Sequence, residues 1–166
     1  MPIYLIQNAP MQTTAAPSGV ATGTSIKTLL QLKPTVPIKI LEWGISFDGF
    51  TAAAPGRVEL IETDVAATVT AFVAGDFTKV RPVDDAPAAS TYLTLSTSGS
   101  GYTSSFEGTT TSLRNLDATQ FIAPTTQYNK QLPLGMEPLV SINQFLRIRV
   151  HFAASVNALC YVKFET

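Results

Sequence analysis

The sequence predicts an all-β protein built as an antiparallel β-sandwich, and two stretches carry most of that prediction. In residues 38–49, Leu41, Trp43, Ile45 and Phe47 alternate with polar or small residues, as the two faces of a half-buried strand require. In residues 145–164, two further alternating runs flank a short turn, which is typical of an antiparallel hairpin with one buried face. No stretch of ten residues has the periodicity of an amphipathic helix.

The elements between these stretches are predicted from β-branched runs and from turn residues. Ile26 to Leu32 alternates loosely and ends before Pro34, which indicates a strand followed by a break. We expect the remaining elements in this order: a loop at 52–56, a strand with Val58 and Leu60 inward, a strand at 68–73, a long loop at 77–90, short edge-type strands at 91–111, a helical turn at 113–117, a strand at 121–128 and a turn at 131–134.

The phase of the alternation on four separated strands predicts which side chains form the core, because a slip of one residue would turn them all to solvent. The predicted core consists of Leu41, Trp43, Ile45, Phe47, Val58, Leu60, Leu146, Ile148, Val150, Cys160, Val162 and Phe164. By the same alternation, Phe145, Arg147, Arg149 and His151 face outward.

The charge content is low for a soluble domain and favours an assembly. Only 14% of the 166 residues are charged, where about 25% is typical. A monomer of this mass exposes roughly 8,000 Å², so large neutral patches are hard to avoid, and soluble monomers normally keep such patches small. The alternative is a surface rich in Thr and Ser that stays hydrated without charge.

Charge and hydropathy also exclude several classes of partner and location. A net charge of −1 argues against nucleic acid as the main partner, because such a partner requires a concentrated basic surface. No apolar run is long enough to cross a bilayer, which argues against membrane insertion. The first basic residue is Lys27, so the N-terminus is not expected to be a secretory signal.

The first 25 residues carry no charge and are predicted to form an extended N-terminal arm, ahead of a single sandwich domain at 26–166. The arm opens with Pro2, Ile3, Tyr4, Leu5 and Ile6, a β-prone run that can add a strand to an exposed sheet edge. Our hypothesis is that this run docks on a neighbouring subunit or on the surface of the assembly to which the protein belongs. The alternative is that it forms the first strand of its own sandwich.

The sequence gives little support for catalysis, and we predict a protein that is not an enzyme and has no catalytic residues, cofactor or metal. His151 is the only histidine, so a metal site with several His ligands cannot form. The single cysteine, Cys160, alternates with apolar residues and is expected to be a packed thiol. Asp84 and Asp85 with Asp76 are expected to lie in a solvated loop rather than to bind a cation.

Two further sets of charged residues each allow a functional and a simpler interpretation. A glycosidase-like pair of Glu42 with Glu59 on adjacent strands is conceivable, although two exposed strand carboxylates are the simpler interpretation. The stripe of Arg147, Arg149 and His151, with Lys163 across the hairpin, is either a solvated face or a surface for an acidic partner.

The order of these features resembles a known family. A strand with Glu-Trp-Gly and Ser-Phe-Asp-Gly precedes a Pro-containing loop and Arg-Val-Glu-Leu, and the chain ends with Leu-Arg-Ile-Arg-Val and Val-Asn-Ala-Leu-Cys-Tyr-Val-Lys-Phe-Glu. This resembles the small jelly-roll capsid decoration, or cement, proteins of tailed bacteriophages, over about 36–63 and 144–165. The resemblance implies a sandwich of jelly-roll type and a homo-oligomer, with a trimer favoured, on the outer surface of the major capsid protein.

We therefore expect a non-enzymatic virion structural protein that binds and stabilises the capsid shell. The predicted partner contacts are Pro2, Ile3, Tyr4, Leu5, Ile6, Arg147 and Arg149. One alternative is a carbohydrate-binding or host-recognition module of a tail or fibre, in which Tyr102, Phe106 and Tyr128 stack on sugars. Another is a trimeric jelly roll of the receptor-ligand kind, which the lack of a signal and of disulfides disfavours.

Overall fold

A computed structural model of the chain describes residues 1–9, 16–51, 53–84, 91–109 and 112–166. These residues form thirteen strands: β1 (Ile3–Gln7), β2 (Val20–Ala21), β3 (Lys27–Leu32), β4 (Ile38–Phe47), β5 (Gly56–Thr63), β6 (Thr68–Ala71), β7 (Phe77–Lys79), β8 (Gly101–Phe106), β9 (Ser112–Ile122), β10 (Gln127–Gln131), β11 (Leu139–Val140), β12 (Phe145–His151) and β13 (Asn157–Glu165). Within the described ranges the one helix is a 3₁₀ turn, Ala74–Asp76, and no helix is long and apolar enough to cross a membrane.

The strands form two antiparallel sheets packed face to face, which confirms the predicted sandwich. The first sheet has the order β10-β4-β13-β1-β7, and the second has the order β6-β8-β3-β12-β5-β9. If β1, β3, β4, β5, β9, β10, β12 and β13 are lettered B to I, the sheets contain B-I-D-G and C-H-E-F. This is the strand order of a jelly roll. Strands β6, β7 and β8 are inserted between the fourth and fifth of these strands in chain order, β5 and β9, and they lengthen both sheets.

The prediction of a terminal hairpin is wrong, although both alternations in it are right. Strand β12 pairs with β3 and β5 in the second sheet, whereas β13 pairs with β1 and β4 in the first. The two strands therefore face each other across the core instead of sharing hydrogen bonds. Local alternation defines the buried face of a strand, but it does not define which strand is its neighbour.

Most of the predicted core is buried between the sheets. Ten of the twelve residues are fully or nearly fully buried, namely Trp43, Ile45, Val58, Leu60, Leu146, Ile148, Val150, Cys160, Val162 and Phe164. Phe47 is half-buried, and its ring centroid lies 4.8 Å from that of Phe152.

The placement of Leu41 in the core is wrong, because a β-bulge interrupts β4. Glu42 pairs with Lys163 and Ile40 with Phe164, so Leu41 is an extra residue without an opposite partner. The bulge shifts the phase of the strand. Ile38 and Ile40 are therefore buried, while Leu41 is half-buried.

The N-terminal segment completes its own sandwich. Strand β1 lies between β13 and β7, and the side chains of Tyr4 and Ile6 are fully buried. The ring of Tyr4 contacts those of Phe77, Tyr92 and Phe164. The hypothesis that this run docks on a neighbour is therefore wrong for β1, and the alternative of a first strand holds. Residues 10–15 of the predicted arm lie outside the described residues.

The middle of the chain contains more strand than the sequence indicates. The predicted helical turn at 113–117 is wrong, because these residues belong to β9. The predicted loop at 77–90 begins with β7, and its residues 85–90 lie outside the described ranges. Strand β8 lies between β6 and β3, so it is not an edge strand.

A pair of substitutions tests whether β1 belongs to the core of its own domain. Ile6→Ala removes a fully buried side chain and is expected to lower the free energy of unfolding by about 2–5 kcal/mol. Leu5→Ala, on the opposite face of the strand, is expected to lower it by less than about 1 kcal/mol. Urea unfolding of both variants as monomers measures this. A strand that docks on another subunit would leave the Ile6→Ala monomer as stable as the unchanged protein.

Candidate functional site

The predicted contact residues of β1 are only partly accessible. Tyr4 and Ile6 are buried, whereas Pro2, Ile3 and Leu5 are half-buried. Because Ile3 and Leu5 alternate with the two core residues, they lie on the outer face of the first sheet.

Arg147 lies on the outer face of the second sheet, as the alternation predicts, but its side chain is 0% exposed. The expectation that it forms part of an exposed basic surface is therefore wrong. The cause is that two connecting segments lie over this face, which the alternation in the sequence does not reveal. The connection from β5 to β6 and the connection from β8 to β9 both cross this face, since three strands lie between β5 and β6 in the sheet and three lie between β8 and β9.

Arg147 holds both crossing connections. Its Nη1 donates to the carbonyl oxygen of Val65 at 3.4 Å, and its Nη2 donates to the Glu107 carboxylate. Its Nε and Nη2 also donate to Oγ1 of Thr28, at 2.9 and 2.6 Å. Burial lowers the pKa of Arg147, and the Glu107 charge opposes that shift. The guanidinium is thus surrounded by acceptors from β3 and from both connections.

A second buried polar side chain completes the attachment of the β5–β6 connection. Gln31 accepts a hydrogen bond from the backbone N–H of Ala67 at 2.8 Å, and its amide donates to the carbonyl oxygen of Ser98 at 2.9 Å. The residues under the two connections are accordingly buried on the outer face of the sheet, including Ile61 and Thr63.

The other residues of the predicted basic stripe are divided between the two sheets. Arg149 is half-buried and forms an ion pair with Glu59. Lys163 lies in the other sheet and donates to Glu42 at 2.9 Å. Only His151 is exposed, as expected. The two glutamates lie in different sheets, so the idea of a glycosidase-like pair on adjacent strands is wrong.

The acidic residues that were considered for a cation have other partners. Asp84 accepts hydrogen bonds from the backbone N–H of Ile3 at 2.9 Å and from Arg81 at 2.8 Å. Asp76 accepts one from the N–H of Val73 at 2.8 Å. Asp85 lies outside the described residues. In the part of the chain that is described, no three His, Cys, Asp or Glu side chains are grouped so that they could hold a metal ion.

A buried carboxylate links the two sheets near their β9 and β10 edges. Asp117 on β9 accepts hydrogen bonds from Trp43 Nε1 at 3.0 Å, Tyr128 OH at 2.9 Å and Lys130 Nζ at 2.6 Å. Burial and the Asp117 hydrogen bond raise the pKa of Tyr128 to about 12. Tyr128 therefore belongs to a structural cluster and not to a surface for stacking.

Of the three aromatic residues considered for sugar binding, only Phe106 is well exposed. Tyr102 packs against Phe72 at a centroid distance of 5.4 Å, and Tyr128 packs against Trp43 at 5.2 Å. The ring of Phe106 is 69% exposed at the end of β8. Cys160 is buried in the core, and burial raises the pKa of its thiol well above the usual range, as expected for a packed cysteine.

Among the described residues, a group of exposed apolar side chains lies on the segment between β10 and β12, and we call it the 134–142 patch. It consists of Leu134, Met136, Leu139 and Ile142. Leu134 is 96% exposed and Met136 is 75% exposed. For this part of the chain the sequence predicted only the turn at 131–134. The signal that was missed is its composition, because residues 131–142 contain a single charged residue, Glu137.

The connection that carries the patch is firmly attached to the first sheet. The N–H of Leu132 donates to the carbonyl oxygen of Leu41 at 2.9 Å, and the N–H of Ile40 donates to that of Pro138 at 3.0 Å. Strand β11 pairs with β4, and Arg114 donates to the carbonyl oxygen of Leu139. The exposed side chains are therefore displayed on an ordered backbone.

Comparison with known proteins finds no family model, no curated protein and no solved structure that matches this chain.

The Tyr128 cluster predicts a loss of stability at alkaline pH. Because the folded-state pKa of Tyr128 is about 12 and an unfolded tyrosine titrates near 10, the folded chain retains a proton that the unfolded chain releases. The protonated Tyr128 side chain therefore contributes fully to the free energy of unfolding below about pH 10, and this contribution is lost as the pH rises towards about 12. Tyr128→Phe is expected to flatten this decline, as measured by urea unfolding across that range. Equal pH slopes for both proteins would contradict the account.

Proposed function

We propose that the protein is a non-enzymatic virion structural protein, a capsid decoration or cement protein that binds the outer surface of the major capsid protein shell. The observation that carries the proposal is the 134–142 patch. Four large apolar side chains are exposed within nine residues, on a backbone that the first sheet holds in place. Exposed apolar side chains grouped on an ordered segment are typical of protein interaction sites.

The distribution of charge supports recognition by shape and apolar contact. Within the described part of the chain, seven of the 11 Lys and Arg residues form ion pairs with carboxylates: Lys39, Arg81, Arg114, Lys130, Arg147, Arg149 and Lys163. Charges that are already paired contribute little to steering a partner. A broad, largely neutral contact suits a protein that covers a shell built from many equivalent subunits.

In the proposed mechanism, weak contacts from several copies of the patch add to give stable binding. Burial of one Leu or Met side chain contributes roughly 1.5–3 kcal/mol, so one patch supports only modest affinity. A homo-oligomer, with a trimer favoured by the resemblance to decoration proteins, presents several patches to the shell at once. Multivalency then raises the overall affinity by orders of magnitude and bridges neighbouring capsid subunits.

The test is binding to capsids from which the protein is absent. Leu134→Ser with Met136→Ser is expected to weaken co-sedimentation with capsids by at least about tenfold, since both side chains lose their burial. The melting temperature should not change, because both side chains are exposed in the free chain. Val83→Ser, an equally exposed apolar residue outside the patch, is the matched control. Binding of the double variant that equals that of the control would contradict the proposal.

Electron microscopy of labelled particles distinguishes this function from host recognition. A decoration protein is found at many sites over the head. A protein found only at the tail tip would contradict the capsid role and favour the carbohydrate-binding alternative.

A further inference from the structure

Strands β3 and β8 separate within the second sheet and leave a cleft between them. They pair only where Leu30 meets Tyr102 and Gln31 meets Gly101. Towards its end at Phe106, β8 remains paired with β6 instead. The resulting cleft has a volume of about 430 Å³ and lies between residues 22–27 and residues 104–108.

The backbone is strained at the point of separation. Thr103 has φ +53°, a conformation that β-branched residues rarely adopt. The pairing of β8 with β6 shifts register at this residue and again at Ser105. The Thr103 Oγ1 is buried and has no hydrogen-bond partner among the described residues. Strain of this kind persists only where the surrounding structure imposes it, and it is common at binding sites.

Both walls of the cleft are fixed before any ligand arrives. On one wall, the N–H of Thr22 donates to the carbonyl oxygen of Val156 at 2.8 Å, and the N–H of Gly23 donates to Ser155 Oγ at 3.1 Å. On the other wall, the Glu107 carboxylate accepts hydrogen bonds from Ser104, from the N–H of Thr28 and from Arg147. A ligand would therefore enter a preorganised site, which reduces the entropy lost on binding.

The lining combines hydroxyl groups with two exposed apolar side chains. Phe106 projects from one wall and Ile26 from the other, and both are exposed. The hydroxyl groups belong to Thr22, Thr24, Ser25, Ser104 and Ser105. The two charged groups of the lining are engaged within the chain, because Lys27 Nζ donates to the carbonyl oxygen of Ala21 at 2.8 Å and Glu107 binds Arg147.

We propose that this cleft binds one ring of a neutral saccharide. A sugar ring has an apolar C–H face that stacks on an aromatic side chain, and its rim of hydroxyl groups exchanges hydrogen bonds with Ser and Thr. An anionic ligand would lie close to the Glu107 carboxylate as well as to Lys27, and a wholly apolar ligand would remove water from the exposed hydroxyl groups of Thr24 and Ser25 without replacing its hydrogen bonds. The inference is independent of the proposed capsid role.

The test is saturation-transfer NMR with three probes, the methyl β-glycosides of glucose, galactose and mannose. We expect binding of at least one probe with Kd on the order of 1 mM, since one stacking contact and a few hydrogen bonds support only weak affinity. Phe106→Ala is expected to weaken this binding about tenfold. Phe121→Ala is the matched control, because Phe121 is 76% exposed and lies on β9 at the opposite edge of the same sheet.

Retained binding by Phe121→Ala together with loss by Phe106→Ala supports the proposal. It is overturned if none of the three probes receives saturation, if Phe106→Ala binds as the unchanged protein does, or if both variants lose binding equally. The melting temperatures of both variants are expected to be unchanged, because both rings are exposed. Unchanged melting temperatures exclude unfolding as the cause of a loss of binding.

Discussion

The buried guanidinium of Arg147 is the constraint on which the second sheet depends. Taking an ionised side chain out of water costs several kcal/mol, and the cost is offset only when its donors find acceptors. Here the acceptors are Thr28 on β3, Val65 on one crossing connection and Glu107 on the other. Among the described residues, the acceptors that compensate the charge are therefore in place when both connections lie across the sheet. This couples the inserted strands β6, β7 and β8 to the jelly-roll framework.

The same network shapes the exposed features of the molecule. Glu107 compensates Arg147 and also binds the N–H of Thr28, so it occupies part of the gap that β3 and β8 leave between them. The remainder of that gap is the cleft beside Phe106. The 134–142 patch lies elsewhere, on the edge of the first sheet where β11 pairs with β4. The molecule thus has two separate surfaces, and we propose that one binds a protein shell and the other a saccharide.

Much of the fold could be predicted from the sequence, because alternation records which face of a strand is buried. Trp43, Val150 and Phe164 were placed correctly for this reason. Leu41 was not, since a bulge depends on the pairing with β13, which is distant in sequence. The candidate sites were predicted less well. Arg147 was assigned correctly to the outer face, but the connections that cover it come from residues 64–67 and 107–109, and no local pattern records that crossing.

The most direct test of the central claim is a double-mutant cycle between Arg147 and Glu107, measured by urea unfolding. Arg147→Met is expected to lower the free energy of unfolding by about 3–5 kcal/mol, because it leaves a partly buried carboxylate without its counter-charge. Combining it with Glu107→Gln should cost clearly less than the sum of the single changes. Arg149→Met, which breaks a more exposed ion pair, should cost less than about 1 kcal/mol. Additive effects, or equal costs at Arg147 and Arg149, would contradict the claim that Arg147 holds the crossing connections in place.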